Sequence, residues 1–409
     1  MISALNLRQL LNGNKHNGYV INCFVAIACA IILLGVGQTT AAEKPIRVAF
    51  LLPFNTESIK YDTLGNITGN VTTNTQMALN YYKGAMLALD SLSNSGLTII
   101  TRIYDTKSDS NVVHELLFNN AEMLNTDIII GPFFMDELRV ANRFSQRFHI
   151  PVVSPYVTST SFVSKSPEYI LSKPTLATHC KALSDYIDSI YKPSRVIILL
   201  SESQQDKNYY ALFENALKQT NSKPSLYKLS DSSTISQDKI ELYLVPGSSN
   251  IIFISSTNET FISKLTARLE TMSTQYQIVL VGMPQWRESQ TLKGSQLSKL
   301  HCIISHYADL DKNTTYFNHV NKAYINKYAL ALNEFSMDGY NDTFYFISNQ
   351  ADDSEWNFTR KPKDALCKQI IIKPRYKSNA NSTSTTVDYL ENTYVNILQY
   401  RDGRLEDVR

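Results

Sequence analysis

The stretch Asp127-Ile-Ile-Ile-Gly131-Pro132-Phe133-Phe134 decides how this chain can fold, together with Ile150-Pro151-Val152-Val153-Ser154-Pro155 further along. Each is a short apolar run that stops abruptly at Gly-Pro or Ser-Pro, which is typical of a buried strand. Met135 to Phe148, between the two runs, has helical spacing. Strand, helix and strand in this order predict a parallel βαβ unit. Ligands of such sheets bind at the carboxyl ends of the strands, so the loops after Ile130 and Val153 are the first candidates for function.

The first 42 residues have the composition of an export signal. Cys23 to Val36 is an unbroken apolar run of 14 residues, and two basic residues precede it. This length suits the core of a signal peptide and is short for a membrane span. Small residues at 40–42 fit cleavage after Ala42. A retained N-terminal anchor and lipoprotein-type processing at Cys29 are the alternatives. We expect a protein of the periplasm or cell envelope, in contact with the membrane only through this segment if it stays uncleaved.

The 367 residues that remain are too many for one small core and suit two lobes. The first 42 residues hold two of the 39 basic residues and none of the 37 acidic ones, so the remainder is balanced. A balanced chain lacks the basic surface that nucleic acid requires, and no nucleic-acid partner is expected. Cys180, Cys302 and Cys367 lie far apart. They favour buried thiols over a disulfide framework, with a single bridge left open.

Strand and helix patterns alternate along the chain in two successive series. The first begins with the apolar run Ile46–Leu52, and the second begins with a helix over residues 175–191. Aromatic-rich helical segments follow at 315–332 and 339–349. Closing strands are predicted at 369–372 and 394–398. Two series of alternating elements predict two α/β lobes.

Six segments also match a known pattern in their order and spacing: Ile46–Phe54, Lys83–Leu89, Asp127–Pro132, Ile150–Pro155, Val279–Trp286 and Gly339–Phe346. With the closing strands they cover nearly all of the chain after residue 42. Through them the chain resembles the type I periplasmic binding-protein fold, specifically the leucine/branched-chain amino-acid-binding branch of ABC-transporter solute receptors. The resemblance implies two Rossmann-like lobes with parallel sheets, joined by three hinge crossings that allow closure around a ligand.

The resemblance also implies domain boundaries. The crossings would fall near residues 171–174, 304–308 and 348–353. The N-terminal lobe would then comprise 43–172 plus 306–350, and the C-terminal lobe 173–305 plus 351–409.

Loops at strand ends are the implied ligand contacts. Relatives of this kind bind the carboxylate of an amino acid through hydroxyl and backbone N–H groups after the third and fourth strands of the first lobe. Here the fourth-strand loop begins at Ser154 and places the backbone of Tyr156 and the hydroxyl of Thr158 at those positions, with Ser159 beside them. Alternatively, a loop rich in Ser and Thr caps the next helix.

Two positions depart from the pattern that the resemblance implies. The third-strand loop reads Phe133-Phe134-Met135-Asp136, where small hydroxyl residues would stand, and we expect Phe133 to fill part of the cleft. Asp136 is more simply a first-turn carboxylate of the following helix. Asn341 stands where an acid follows Gly-Tyr. These changes weaken the case for an amino acid as the ligand and leave the fold unaffected.

Four more residues are candidates because they follow strands or crossings. Phe54 follows the first strand, and Trp286 follows a strand of the second lobe, where an indole can cover the apolar part of a ligand. Tyr307 and Asp309 lie just past a predicted crossing, where the carboxylate could meet a cation. The alternatives are packing between the lobes for Trp286 and a solvated loop acid for Asp309.

Motifs of catalysis or metal binding are missing from the sequence. His114-Glu115 begins like a zinc-protease helix but has Phe118 where the second His must stand. The segment that starts at Asp309 imitates a calcium loop without its Gly and its final acid. No GxSxG, GxxxxGK or GxGxxG sequence occurs. We therefore expect no cofactor, no metal and no enzyme activity.

The leading hypothesis is an exported solute-binding protein that closes around a small polar ligand, amino-acid or peptide-like, and delivers it to a membrane transporter such as an ABC permease. A ligand-free envelope interaction or scaffold protein that retains the fold is the alternative, motivated by Phe133, Phe134 and the aromatic richness. An envelope hydrolase would need a base beside a cleft hydroxyl. A eukaryotic receptor ectodomain is a further alternative, because Asn66 and Asn70 begin glycosylation-type triplets.

Overall fold

A computed structural model describes residues 44–64, 67–308, 312, 314–351, 366, 369–376 and 386–408. The signal segment predicted over 1–42 lies outside the described residues, as do Asn66, Asp309 and Cys367. Within the described part of the chain, no helix is both long and apolar enough to cross a membrane.

The described strands are, in chain order, β1 (Ile46–Leu52), β2 (Lys60–Tyr61), β3 (Ile67–Thr68), β4 (Ile99–Asp105), β5 (Ile128–Ile130), β6 (Val152–Ser154), β7 (Tyr169–Leu171), β8 (Arg195–Ser201), β9 (Ser225–Asp231), β10 (Asn250–Ile254), β11 (Ile278–Val281), β12 (Ile303–His306), β13 (Ile372–Tyr376), β14 (Val387–Asn392), β15 (Asn396–Arg401) and β16 (Arg404–Asp407). The described helices are α1 (Thr73–Asn94), α2 (Ser110–Phe118), α3 (Met135–Phe148), α4 (Leu176–Tyr191), α5 (Gln204–Lys218), α6 (Gln237–Glu241), α7 (Glu259–Met272), α8 (Gly294–Lys299), α9 (Thr315–Tyr328) and α10 (Glu334–Ala351).

The first sheet has the strand order β13-β14-β7-β6-β5-β1-β4, parallel except where β13 pairs with β14. Both of its faces are covered, as the side chains of β1 show. Val48, Phe50 and Leu52 pack in the cluster with α1 and α10, whereas Ala49 and Leu51 pack in the cluster with α2 and α3. This period of two explains why β1 reads as a continuous apolar run, since each face needs apolar side chains.

The second sheet has the strand order β16-β15-β12-β11-β10-β8-β9, with β8 to β12 parallel and the last two strands antiparallel. Its core is a separate apolar cluster in which the Phe213 and Phe253 rings stack with centroids 3.9 Å apart. Two mostly parallel sheets with interleaved helices confirm the predicted two-lobed α/β fold.

In the described residues the chain passes from one sheet to the other at three places: between β7 and α4, between β12 and α9, and between β14 and β15. The first two crossings were expected near 171–174 and 304–308. The third lies at 393–395, so the expectation of a crossing near 348–353 is wrong. The reason is that the hairpin of β13 and β14 returns to the first sheet, although the whole of 351–409 was expected in the C-terminal lobe.

Helix α10 belongs with the first sheet because it packs closely along α1. Two glycines make this approach possible. A Cβ atom on Gly84 would collide with the backbone carbonyl of Ser336, and one on Gly339 would collide with that of Tyr81. Each helix therefore contributes one glycine, at which the backbone of the other helix can approach.

Candidate functional site

The loops at the carboxyl ends of β5 and β6 lie at one edge of the first sheet, where Tyr156, in the loop after β6, meets the first and second crossings through Lys173. In the loop after β6, Ser154 is buried and its Oγ donates to the Val157 carbonyl, 2.8 Å away. Thr158 and Ser159 are half-buried, and the Ser159 Oγ lies 3.3 Å from the Ser161 Oγ. Ser154 thus shapes the turn, whereas the side chains of Thr158 and Ser159 keep partial access to solvent.

Phe133 lies in the core of the first lobe, although the sequence predicts that it fills the cleft. It is 1% exposed, and its ring meets those of Tyr81 and Tyr156 edge-on at centroid distances of 5.2 and 4.8 Å. Burial raises the pKa of both tyrosines well above the usual value, so both phenols are neutral. The third-strand loop thus contributes an aromatic wall behind Tyr156.

Lys173, in the first crossing, places an ammonium group at the centre of the site. Its Nζ lies 2.8 Å from the Asp338 Oδ2 and donates to the Tyr307 hydroxyl at 3.0 Å. The same Nζ lies 4.5 Å from the centroid of the Tyr156 ring and 4.1 Å from that of the Tyr307 ring. We call Lys173, Tyr156, Tyr307 and Asp338 the Lys173 cage. It brings together two predicted ligand contacts, Tyr156 and Tyr307, around the protein's own cation.

A buried carboxylate lies one helical turn beyond Asp338 on α10. Asp342 is fully buried and accepts hydrogen bonds from the Tyr81 hydroxyl at 3.0 Å and the Ser172 Oγ at 3.1 Å. The neighbouring Asn341, which stands where an acid was expected, is bonded in both directions to the backbone of Leu366. Asp338 and Asp342 thus face the first crossing, and Asn341 has a structural role.

Glu391, at the end of β14, ties the first sheet to the amino end of α4. It is 1% exposed, and its Oε1 accepts from the Thr175 backbone N–H at 2.7 Å and from the Thr178 hydroxyl at 2.6 Å. The Oε2 accepts from the Arg375 Nε at 2.6 Å. This anion complements the helix N-terminus and holds the first crossing beside the third.

Trp286 belongs to the core of the second lobe. It is 2% exposed, and its Nε1 donates to the Ser256 carbonyl at 2.8 Å. The next residue, Arg287, reaches the first lobe, where its Nη2 lies 2.7 Å from the Glu334 Oε1. Its Nη1 lies 2.8 Å from the Nε2 of His306. Burial, reinforced by Arg287, lowers the pKa of His306 to about 4, so a neutral imidazole accepts from the guanidinium.

Phe54 lies apart from the Lys173 cage. Its half-buried ring packs edge-on against Tyr82, with centroids 5.7 Å apart. The loop that follows is fixed to the end of β4 because the Asp105 carboxylate accepts the backbone N–H groups of Asn55 and Thr56, each at 2.9 Å. Of the predicted contacts, Phe54 and Trp286 therefore lie away from the cage, and Asp309 is outside the described residues.

One serine and histidine pair resembles a nucleophile beside a base. The Nδ1 of His179 lies 2.9 Å from the Ser305 Oγ. Burial lowers the pKa of His179 to about 3, and Ser305 has no exposed surface. A substrate cannot reach this hydroxyl, so the pair serves to fasten α4 to β12.

The cysteines and His114 are placed where they contribute to packing. Cys180 and Cys302 are free, buried thiols, and burial raises the pKa of Cys180 to about 12. His114 stacks on Phe118, the residue in place of the second histidine of a zinc helix, with ring centroids 4.8 Å apart. Among the described residues, no group of three His, Cys, Asp or Glu side chains is placed to hold a metal ion.

Sequence reasoning missed Lys173, Asp338, Asp342 and Glu391. The two aspartates carried a usable signal, because acids spaced i and i+4 on a strongly aromatic helix predict a polar stripe that needs partners. Lys173 and Glu391 gave no local signal, since their partners come from distant segments.

Glu137, in the first turn of α3, titrates near neutral pH. It is 1% exposed, its Oε2 accepts from the Phe134 N–H at 3.3 Å, and burial raises its pKa from 4.5 to about 7. The folded state therefore favours the protonated acid, and stability falls as the pH rises from 4.5 to about 7. We expect the wild type to lose about 2 kcal/mol between pH 5 and pH 8 relative to Glu137→Gln.

Urea unfolding of both proteins at the two pH values measures this difference. Glu115→Gln, on the exposed face of α2, is the matched control and should follow the wild-type profile. Parallel pH profiles for Glu137→Gln and the wild type would contradict the assignment.

Comparisons with known proteins agree with this architecture. The model of the family described as "Receptor family ligand binding region" matches residues 82–384. Among curated protein sequences, none matches the chain.

Solved structures share the fold at low sequence identity. A putative branched-chain amino acid ABC transporter protein from Rhodospirillum rubrum has a TM-score of 0.63 at 11% identity, over 89% of this chain and 100% of that one. An ABC transporter substrate-binding protein from Desulfitobacterium hafniense, in complex with Leu, has a TM-score of 0.55 at 11% identity over the same shares. Full-length LpoA from Haemophilus influenzae has a TM-score of 0.56 at 12% identity, over 90% of this chain and 59% of that one.

The family match spans most of the chain and includes the loops after β5 and β6, the first two crossings and helix α10. The structural neighbours show a type I periplasmic binding-protein fold, in agreement with the two sheets and the crossings between them. This chain therefore belongs to the family of receptor ligand-binding regions and has the type I periplasmic binding-protein fold.

Proposed function

We propose that this protein is an exported, non-catalytic solute-binding protein of the periplasm or cell envelope, which closes its two lobes around a small polar solute. The observation that carries the proposal is the position of the polar and aromatic residues. Thr158, Ser159 and the Lys173 cage lie where the carboxyl ends of the first sheet meet two of the crossings. Ligands of open parallel sheets bind at that edge.

Closure would remove the solute from water, so a few hydrogen bonds would suffice for binding. The half-buried hydroxyls of Thr158 and Ser159 and the backbone of Tyr156 would contact the solute, with Tyr307 at the hinge. Micromolar affinity corresponds to about −8 kcal/mol. The Arg287–Glu334 ion pair joins the two lobes. Delivery to a membrane transporter, such as an ABC permease, would complete the role.

A calorimetric and thermal-shift screen of amino acids, short peptides and small carboxylic acids tests the proposal. At least one solute should bind saturably, and a solute at 100 times its Kd should stabilise the protein by about 2.7 kcal/mol. Thr158→Ala should weaken that binding about tenfold, because it removes one hydrogen bond worth roughly 1.4 kcal/mol.

Ser164→Ala, at an exposed position of the same loop, is the matched control and should bind like the wild type. Absence of a response to every solute, in a protein that unfolds cooperatively, would refute the proposal.

A second candidate is an envelope interaction protein that retains the fold without a small ligand. The Lys173 cage favours it, because protein groups already satisfy one another where a ligand would bind. The genes beside its own discriminate between the two. Permease and ATPase genes would favour transport, whereas cell-wall genes together with a negative solute screen would favour the interaction protein.

A further inference from the structure

We propose that the Lys173 cage is a cation-binding subsite in which the ammonium group of Lys173 is the bound cation. Because this subsite is already occupied, the cleft selects solutes that carry no ammonium group. The inference deepens the proposed function, on which its statement about solutes rests. The part that concerns the cage rests on the geometry of Lys173 alone.

The cage has the chemistry that recognises an ammonium ion. Two aromatic rings stand within 4.5 Å of the Nζ of Lys173, well inside the distance at which a cation is attracted to a ring face. A carboxylate oxygen of Asp338 lies 2.8 Å from the same atom. Aromatic faces with one acid are the arrangement used to bind alkylammonium ligands.

The cage is also enclosed. The side chains of Lys173 and Asp338 are only 14% and 5% exposed. A carboxylate this buried cannot lose its counter-ion without a large loss of stability, so Asp338 and the ammonium of Lys173 stabilise each other. Lys173 occupies this position permanently, whereas a diffusing ligand would occupy it only when bound.

The four residues come from four separate parts of the fold. Tyr156 lies in the loop after β6, Lys173 in the first crossing, Tyr307 in the second crossing and Asp338 on α10. The subsite therefore lies at the hinge, next to the loop that carries Thr158 and Ser159. A solute bound to that loop would meet a cation that Asp338 already neutralises.

The ammonium of an amino acid would find no free carboxylate in the cage, because Asp338 is already paired with Lys173. Carboxylic acids and neutral polar solutes need no such partner. We therefore infer that the cleft prefers a des-amino acid over the amino acid of the same skeleton.

Lys173→Ala removes three methylenes and the ammonium, which together correspond to n-propylammonium. We expect the variant to lose thermal stability and to recover it saturably with n-propylammonium, at least tenfold more effectively than with 1-propanol. The wild type and Lys299→Ala, in which an exposed lysine is removed, should respond to neither compound. Lack of recovery in folded Lys173→Ala, or equal recovery by 1-propanol, would overturn the inference.

A second measurement uses the wild type and does not depend on the folding of a variant. Reductive methylation followed by mass spectrometry should leave Lys173 unmodified while Lys299, 64% exposed, reacts. Reaction of both lysines at similar rates would show that the cage is not occupied and would overturn the inference.

The solute class is tested by titrating leucine and 4-methylpentanoate, which share a skeleton and differ in the amino group. Wild type should bind the acid more tightly, and Lys173→Ala should reverse or abolish that preference. Tighter binding of leucine by the wild type would overturn the selectivity. If no solute binds but n-propylammonium complements Lys173→Ala, the proposed function fails and the cage stands; the opposite result refutes the cage alone.

Discussion

Glu391→Ala is expected to destabilise the protein by about 3 kcal/mol, because it leaves buried hydrogen-bond donors without their acceptor, each at a cost of about 1–3 kcal/mol. The carboxylate is 1% exposed and binds the Thr175 N–H, the Thr178 hydroxyl and the Arg375 guanidinium. Alanine leaves all three donors without this acceptor. It also removes a negative charge from the N-terminus of α4, where the helix dipole favours one.

Chemical denaturation of the wild type and variant, compared by midpoint at constant slope, measures the loss. Asp185→Ala is the matched control, because Asp185 pairs with Lys181 on the same helix while both side chains are 47% exposed. An exposed pair contributes little, and the control should change stability by less than about 0.5 kcal/mol. Equal losses of unfolding free energy in the two variants would show that the buried carboxylate of Glu391 contributes no more to stability than an exposed one.

Gly84→Val is expected to destabilise the protein by about 3 kcal/mol or more. A Cβ atom at this position collides with the backbone carbonyl of Ser336, which cannot rotate away as a side chain could. Helices α1 and α10 must therefore separate, and the apolar contacts on both sides of the glycine pair loosen. Overpacking of this kind costs about 1–3 kcal/mol where only side chains move, and more where the backbone must shift.

Ser93→Val places the same side chain on the exposed face of α1 and separates the clash from helix propensity, since serine and valine have similar propensities. It should leave stability within about 0.5 kcal/mol of wild type. A loss below 1 kcal/mol for Gly84→Val would mean that the two helices can move apart freely.

The sequence predicted most of the strands that are buried on both faces, because such strands need apolar residues at every position; β7, which has only three residues, was missed. Ile128–Ile130 and Val152–Ser154 are of this kind. β14 and β16 were missed, since each mixes polar and apolar residues. In β14 the buried positions even include Asp388 and Glu391, whose partners are invisible to a local pattern.

The third crossing shows a second limit of local patterns. The apolar run at 369–372 does predict a strand, but its sequence does not indicate which sheet the strand joins. The sheet is decided by the pairing of Leu390 in β14 with Ile170 in β7, two residues that are more than two hundred positions apart in the sequence. Parallel neighbours of this kind carry no hairpin signal.

The candidate site was predictable in its location and less so in its chemistry. Strand-end reasoning singled out the loop at Tyr156 and the crossing at Tyr307, which the structure brings together around Lys173, and their contact with a ligand stays a prediction. It placed Phe133 in the cleft, whereas the ring fills the core between Tyr81 and Tyr156. It also omitted Lys173, because a lysine before a proline has no periodicity or spacing to mark it.

The late return of β14 to the first sheet bears on how the chain is made. Ribosomes release the amino end first, so the strands from β1 to β7 emerge long before residue 387. Until then β7 is an unprotected edge, which invites pairing with a neighbouring chain. A nascent polypeptide of this design benefits from chaperones, since its first sheet gains β14 only after residue 387 has been synthesised.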